Sequence, residues 1–172
     1  MPLIAALCAE STMRDFRKVI ESEAAVIDRL HQRIHSTYEA KNKDLEAWKK
    51  ACSTFHSYVS TLDPLIEQVY EKSALDDDEL IEFSITFLEL NPMFFRSGYV
   101  KEEILRKLKR SALSEKQNER LRAVLLDAVN NRGTREFRRY CRLLPKISNP
   151  KLVSALETTN KYGEGAKKIE QR

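Results

Sequence analysis

The sequence predicts an all-α protein, an antiparallel helical bundle, on three observations. Neither glycine nor proline interrupts the chain from Leu3 to Asp63, and only 4 Gly and 5 Pro occur in 172 residues. Helix breakers this sparse belong to a helical chain. Apolar residues recur at steps of three and four, the spacing that gathers them on one helix face. The segments so defined begin at capping residues and end at stop signals. A chain of this length buries roughly 70% of the surface its unfolded form exposes, enough for one domain without a staple. We therefore expect a single helical domain over 1–172, with a long-helix hairpin at 1–72, stacked helix pairs at 73–157 and a flexible tail at 158–172.

The first helix carries Phe16, Val19, Ile20, Ile27, Leu30 and Ile34 on one side, with Ser11 or Thr12 as its cap. Polar Glu39 to Asp44 follows, and a hairpin turning near Asn42 to Asp44 is expected over one unbroken helix. Leu45, Trp48, Cys52, Phe55, Val59 and Leu62 then alternate steps of three and four, a coiled-coil-like seam. That seam fits the first helix or, between two copies, a homodimer. Asp63-Pro64 reads as an N-cap with proline at the first helical position, opening a helix through Leu65, Ile66, Val69 and Tyr70. Asp76 to Glu79 places negative charge on the first turn of the next helix, whose core is Leu80, Phe83, Ile85, Phe87, Leu88 and Leu90, and Asn91-Pro92 ends it.

After a loop from Met93 to Gly98, a basic helix turns Val100, Ile104, Leu105 and Leu108 inward and Lys101, Arg106, Lys107, Lys109 and Arg110 outward. Ser114 and Gln117 form a capping box for a helix with Leu121, Val124, Leu125, Ala128 and Val129 inside, closed by Asn131 to Gly133. Asn149-Pro150 caps a short last helix through Leu152, Val153 and Leu156. A shift of 38 residues superposes Phe83, Phe87 and Leu88 on Leu121, Leu125 and Leu126. Helical-hairpin repeats of HEAT or armadillo type have about this period, so the C-terminal part is expected to be solenoid-like.

Charge divides the chain. Residues 1–95 hold 10 Lys+Arg against 17 Asp+Glu, a balance of −7, and residues 96–172 hold 20 against 9, a balance of +11. Such polarity suits either an acidic partner for the second half or pairing of the two halves. Three cysteines, Cys8, Cys52 and Cys141, lack a Cys-x-x-Cys pair, and read as reduced core thiols of a cytoplasmic protein. Residues 2–9 are too short an apolar run, without a basic flank, for a signal peptide, and no span reaches membrane length.

The main candidate site is Thr134 to Pro145. Arg135, Arg138, Arg139 and Arg142 recur at helical spacing opposite Phe137, Tyr140, Cys141 and Leu144, between the stop signals Gly133 and Pro145. With Lys146, and supported by Lys107 and Arg110, these arginines form a basic face expected to dock an acidic protein surface. The same face offers phosphate contacts, so nucleic-acid binding is the alternative, although helix-turn-helix, zinc-finger and RNP signatures are missing. A solvated or internally paired face is the bland reading.

A second alternative is a helical homodimer with structural zinc. A hairpin centred between Lys43 and Asp44 sets His31 opposite His56 and His35 opposite Cys52, a four-ligand N/S set of the kind zinc takes. Membership of Cys52 in the apolar seam argues against it. Met93, Phe94 and Phe95 either anchor a partner or tuck beneath the adjoining helices. No phosphate-binding glycine loop, Gly-x-Ser-x-Gly elbow or zinc-protease helix occurs, so no catalytic residue is nominated, no cofactor is expected, and the protein is expected not to be an enzyme.

Overall fold

A computed structural model of the chain describes residues 15–130 and 136–158. Among the described residues all regular structure is helical. The helices are α1 (Phe16–Glu39), α2 (Leu45–His56), α3 (Asp63–Glu71), α4 (Asp78–Leu90), α5 (Ser97–Leu108), α6 (Glu115–Asn130) and α7 (Phe137–Ile147), followed by α8 over 150–158. Ser11, Thr12, Cys8, Gly133, Arg135 and the tail beyond 158 lie outside the described residues.

Most boundaries obey cap chemistry. Asp15, rather than Ser11 or Thr12, caps α1 by accepting from the Lys18 amide at 3.3 Å. Asp44 caps α2 through the Ala47 amide at 2.9 Å, and Asp77 caps α4 through the Glu79 amide at 2.7 Å. Ser114 and Gln117 form the expected reciprocal box, at 2.9 and 3.3 Å. Asn91 stops α4 in the left-handed region at φ 44°, a conformation asparagine tolerates better than most residues.

The helices lie in two rows: α1, α4 and α6 touch in one, and α3, α5 and α7 in the other. Within a row the helices α4 and α6, and α3, α5 and α7, run parallel. Lys107 near the end of α5 donates to the Tyr70 and Lys72 carbonyls at the end of α3, and Lys146 near the end of α7 donates to the Ser111 carbonyl just beyond α5. The Leu75 amide donates to Ser111 Oγ at 2.8 Å, so the partners along this row stand 35 to 37 positions apart.

Helix α4 is the centre. Leu80, Ile81, Phe83, Ile85, Phe87 and Leu88 are all buried, and a helix apolar on nearly every side must be covered on nearly every side. The Phe83 ring meets Phe16 at 5.7 Å and Phe87 at 5.8 Å, and Phe87 meets Phe94 at 6.1 Å.

The predicted hairpin forms, but its seam differs from the expectation. His31 faces Phe55 at 5.8 Å and Tyr38 faces Trp48 at 6.0 Å. The register is thus one residue tighter than the one that opposes His31 to His56. Helix α2 also ends at His56, so the seam is not one continuous edge. Leu45 and Val59 are exposed, whereas Leu62 joins the main core. The residues proposed as a dimer edge are therefore shared between the α1–α2 hairpin, the core and solvent.

Candidate functional site

The arginine segment folds as α7, with its apolar face turned from the expected one. Tyr140, Leu143 and Ile147 are buried, Phe137 and Leu144 are half-buried, and Cys141 is exposed. At about 100° per residue the hidden stripe lies roughly 80° from that drawn through Phe137, Tyr140, Cys141 and Leu144. The reason is packing: α7 meets both α5 and α6, and the edge carrying Tyr140, Leu143 and Ile147 is the one that is covered, while Cys141 stays exposed.

Pro145 lies inside α7, not at its end. Its missing amide leaves the Cys141 carbonyl without a helical donor. Cys141 is exposed, and the helix runs only two residues beyond Pro145.

The rotation sorts the basic residues. Arg138 and Arg142, one turn apart, are exposed, and Arg139 beside them is half-exposed. Among the described residues none of the three makes an ion pair with a carboxylate. Arg110 is exposed as well. Lys146 is exposed along its stem, but its ammonium caps the Ser111 carbonyl.

Lys107 leaves the set. It is 2% exposed and its ammonium donates to the Tyr70 and Lys72 carbonyls and pairs with Glu103 at 3.1 Å. It closes the C-terminal end of α3, where cations are favoured.

Lys101, also expected to point outward, is 1% exposed. Its Nζ donates to Asn91 Oδ1 at 2.6 Å and lies 3.8 Å from Glu136 Oε1, itself buried at the start of α7. Burial pulls the Lys101 amine below its ordinary value, and Glu136 opposes this only in part. Burial also drives the Tyr140 phenol well up, with Glu136 and Asp127 adding to it.

Among the described residues the two halves of the chain pair by charge between α4 and α6. Arg120 of α6 grips Glu89 at 2.7 Å and also pairs with Glu82 of α4. Glu89 and then Glu82 raise the Arg120 guanidinium further against its own desolvation. Pairing among the described residues therefore occupies Arg120 and leaves Arg138, Arg139 and Arg142 without a carboxylate.

The four residues considered for zinc do not converge. His31 stacks edge-on against His35 at 4.6 Å and lies 5.4 Å from Phe95, while His56 packs on Phe55 at 5.6 Å. The one-residue register difference puts Phe55 where His56 was needed. Among the described residues no group of three or more His, Cys, Asp or Glu side chains is placed to hold a metal ion.

One feature had no sequence signal and a second was signalled only in part. Glu23, buried on α1, accepts from Tyr58 at 2.7 Å, Ser60 at 2.7 Å and Thr61 at 3.0 Å. Burial would raise its carboxyl, but the hydroxyl donors together hold it below the ordinary value, and the Tyr58 phenol is pushed up to about 12. The other is an aromatic groove beside Arg96: of the trio Met93, Phe94 and Phe95, Phe94 packs against the core, Met93 and Phe95 are exposed, and Phe94 and Phe95 line the groove.

No protein-family model, curated protein or solved structure matches this chain. Among the described residues no helix is long and apolar enough to cross a membrane.

Proposed function

We propose that the chain is a non-catalytic interaction module that docks an acidic protein surface through Arg138, Arg139 and Arg142 of α7, with Arg110 in support. The observation that carries this reading is an exposed arginine pair one turn apart, free of carboxylate partners among the described residues. Arg138 and Arg139 moreover occupy the first turn of α7, where the positive end of the helix dipole disfavours cations and welcomes anions. Folding stability gains nothing from cations in that turn; an acidic ligand does. We read the parallel rows as stacked helix pairs of solenoid kind, an architecture that offers extended faces to partners. The thiol composition suits the cytoplasm.

The test is capture of partners by the wild-type chain and by an Arg138→Glu/Arg139→Glu/Arg142→Glu variant. Loss of acidic partners from the variant supports the reading. An unchanged partner set means that these arginines are only the solvated end of the stack. Nucleic acid through the same face is distinguished by salt, since each neutralised phosphate adds roughly 0.9 to the slope of log affinity against log salt on duplex DNA. Oligonucleotides that do not shift at low salt remove that alternative.

A further inference from the structure

We propose that the groove between α3 and the start of α5 is a second docking site, one that takes an apolar peptide segment carrying carboxylates. Its volume is about 810 Å³, within the range that ligand pockets span. Ile66 and Tyr70 form one wall, Tyr99 and Val100 the other, and Phe95 and Arg96 of the α4–α5 turn close the end. Tyr70, Phe95 and Tyr99 are 46%, 44% and 51% exposed, and Met93 on the same turn is 75% exposed. Large aromatic side chains left wet around a concavity are the usual anchors of a protein partner.

The charge of the occupant follows from what the groove has already spent. Its lining carboxylate, Asp63, accepts the Ser60 amide at 2.8 Å. Glu103 and, more weakly, Glu102 act on the Tyr70 phenol, with Arg96 opposing them; Glu103 is held by Arg106 and Lys107, and Glu102 does not line the groove. Glu67 and Glu71 of α3 are exposed and do not line the groove. Arg96 does line it, is exposed, and makes no ion pair with a described residue. Its guanidinium stands 5.3 Å from the Phe95 ring centre.

The Arg96 backbone adds an independent observation. It sits at φ 69°, ψ 1°, a region that disfavours residues with a Cβ and recurs at ligand clamps. Glycine would occupy it without penalty. An arginine kept there, with its cation at the mouth of an aromatic groove, fits a segment that sets an apolar side chain between Tyr70 and Tyr99 and a carboxylate on Arg96.

The site does not depend on the α7 arginines. The experiment is fluorescence anisotropy of the full chain with a labelled short peptide alternating Glu and Leu, with Lys-for-Glu and Ser-for-Leu versions as comparisons. The Glu/Leu peptide is expected to bind more tightly than either comparison. Arg96→Gly is expected to weaken it about tenfold while leaving the melting midpoint no lower than wild type. Tyr70→Ala, which removes a wall without touching that backbone, is expected to weaken it too. Arg138→Glu/Arg142→Glu is expected to leave this affinity within about twofold. Equal binding of the acidic and basic peptides, or wild-type affinity in Arg96→Gly, overturns the proposal. So does a loss caused only by the α7 reversal, which would assign the peptide to that helix instead.

Discussion

Replacing Lys101 by methionine tests the internal anchor of α7. The amine lies 3.8 Å from the Glu136 carboxylate and 2.6 Å from Asn91 Oδ1, with 1% of the residue exposed. At an effective dielectric near 20 the ion pair is worth about 4 kcal/mol before desolvation. Burial already depresses the amine despite Glu136, so removing the lysine relieves its own penalty. The damage falls on Glu136, left buried without its Lys101 partner. Breaking one side of such a pair costs roughly 3 kcal/mol or more, and methionine keeps the apolar stem in place.

We therefore expect Lys101→Met to lower unfolding stability by about 3 kcal/mol, and Lys101→Met/Glu136→Leu to recover to within about 1 kcal/mol of wild type. Urea denaturation followed by circular dichroism at neutral pH measures both. A single variant costing under about 1 kcal/mol, or a double variant as weak as the two singles summed, would refute the reasoning.

Glu23→Gln should cost about 2 kcal/mol in the same assay, because three hydroxyls lose a charged acceptor. The folded carboxyl lies below its ordinary value of 4.5, so its contribution is complete above that pH and is lost as pH falls through the folded value. Wild type should then lose stability below about pH 4.5 more steeply than Glu23→Gln, and parallel curves would dismiss the effect. Phe83→Ala, at a fully buried ring touching Phe16 and Phe87, should cost about 4 kcal/mol, checked by thermal melting. Arg120→Met should cost about 2 kcal/mol by leaving Glu82 and Glu89 facing each other, discounted for their partial exposure; a double-mutant cycle with Glu89→Gln isolates the coupling. Arg138→Glu/Arg142→Glu should change stability by less than about 0.5 kcal/mol, and a larger loss would show that these exposed side chains hold the fold.

The α1–α2 hairpin shows where reading from sequence stops. Asp44 as a cap and the turn before it follow from local chemistry, and both occur. Register depends on which side chains fit between the helices, and there Phe55 displaces His56 opposite His31. A shift of one residue turns a helix by about 100°, enough to disperse a four-ligand site. The same limit explains Cys141 and Leu143. The stripe through Phe137, Tyr140, Cys141 and Leu144 is apolar by composition, but which apolar edge is covered depends on the directions from which α5 and α6 approach.

Lys101 and Lys107 fail for a related reason. A basic helix with one apolar stripe normally turns its lysines to water. Because α5 is packed between α3 and α7 in its row and against α4 in the other, only a narrow strip of it stays wet. The two lysines are buried where Asn91, Glu136 and the carbonyls ending α3 receive them.

The amino-acid sequence by itself determined that this chain is helical, where most helices start and stop, and that surplus positive charge collects in its second half. Those properties depend on neighbours within one or two turns. Tertiary structure alone decided which cations are spent and which remain free. Ion pairing and burial depend on groups brought together from 31 to 38 positions away, as Arg120 with Glu89 and Glu82 illustrates. Among the described residues Arg138, Arg142 and Arg96 make no ion pair, because the carboxylates brought near by other helices have different partners.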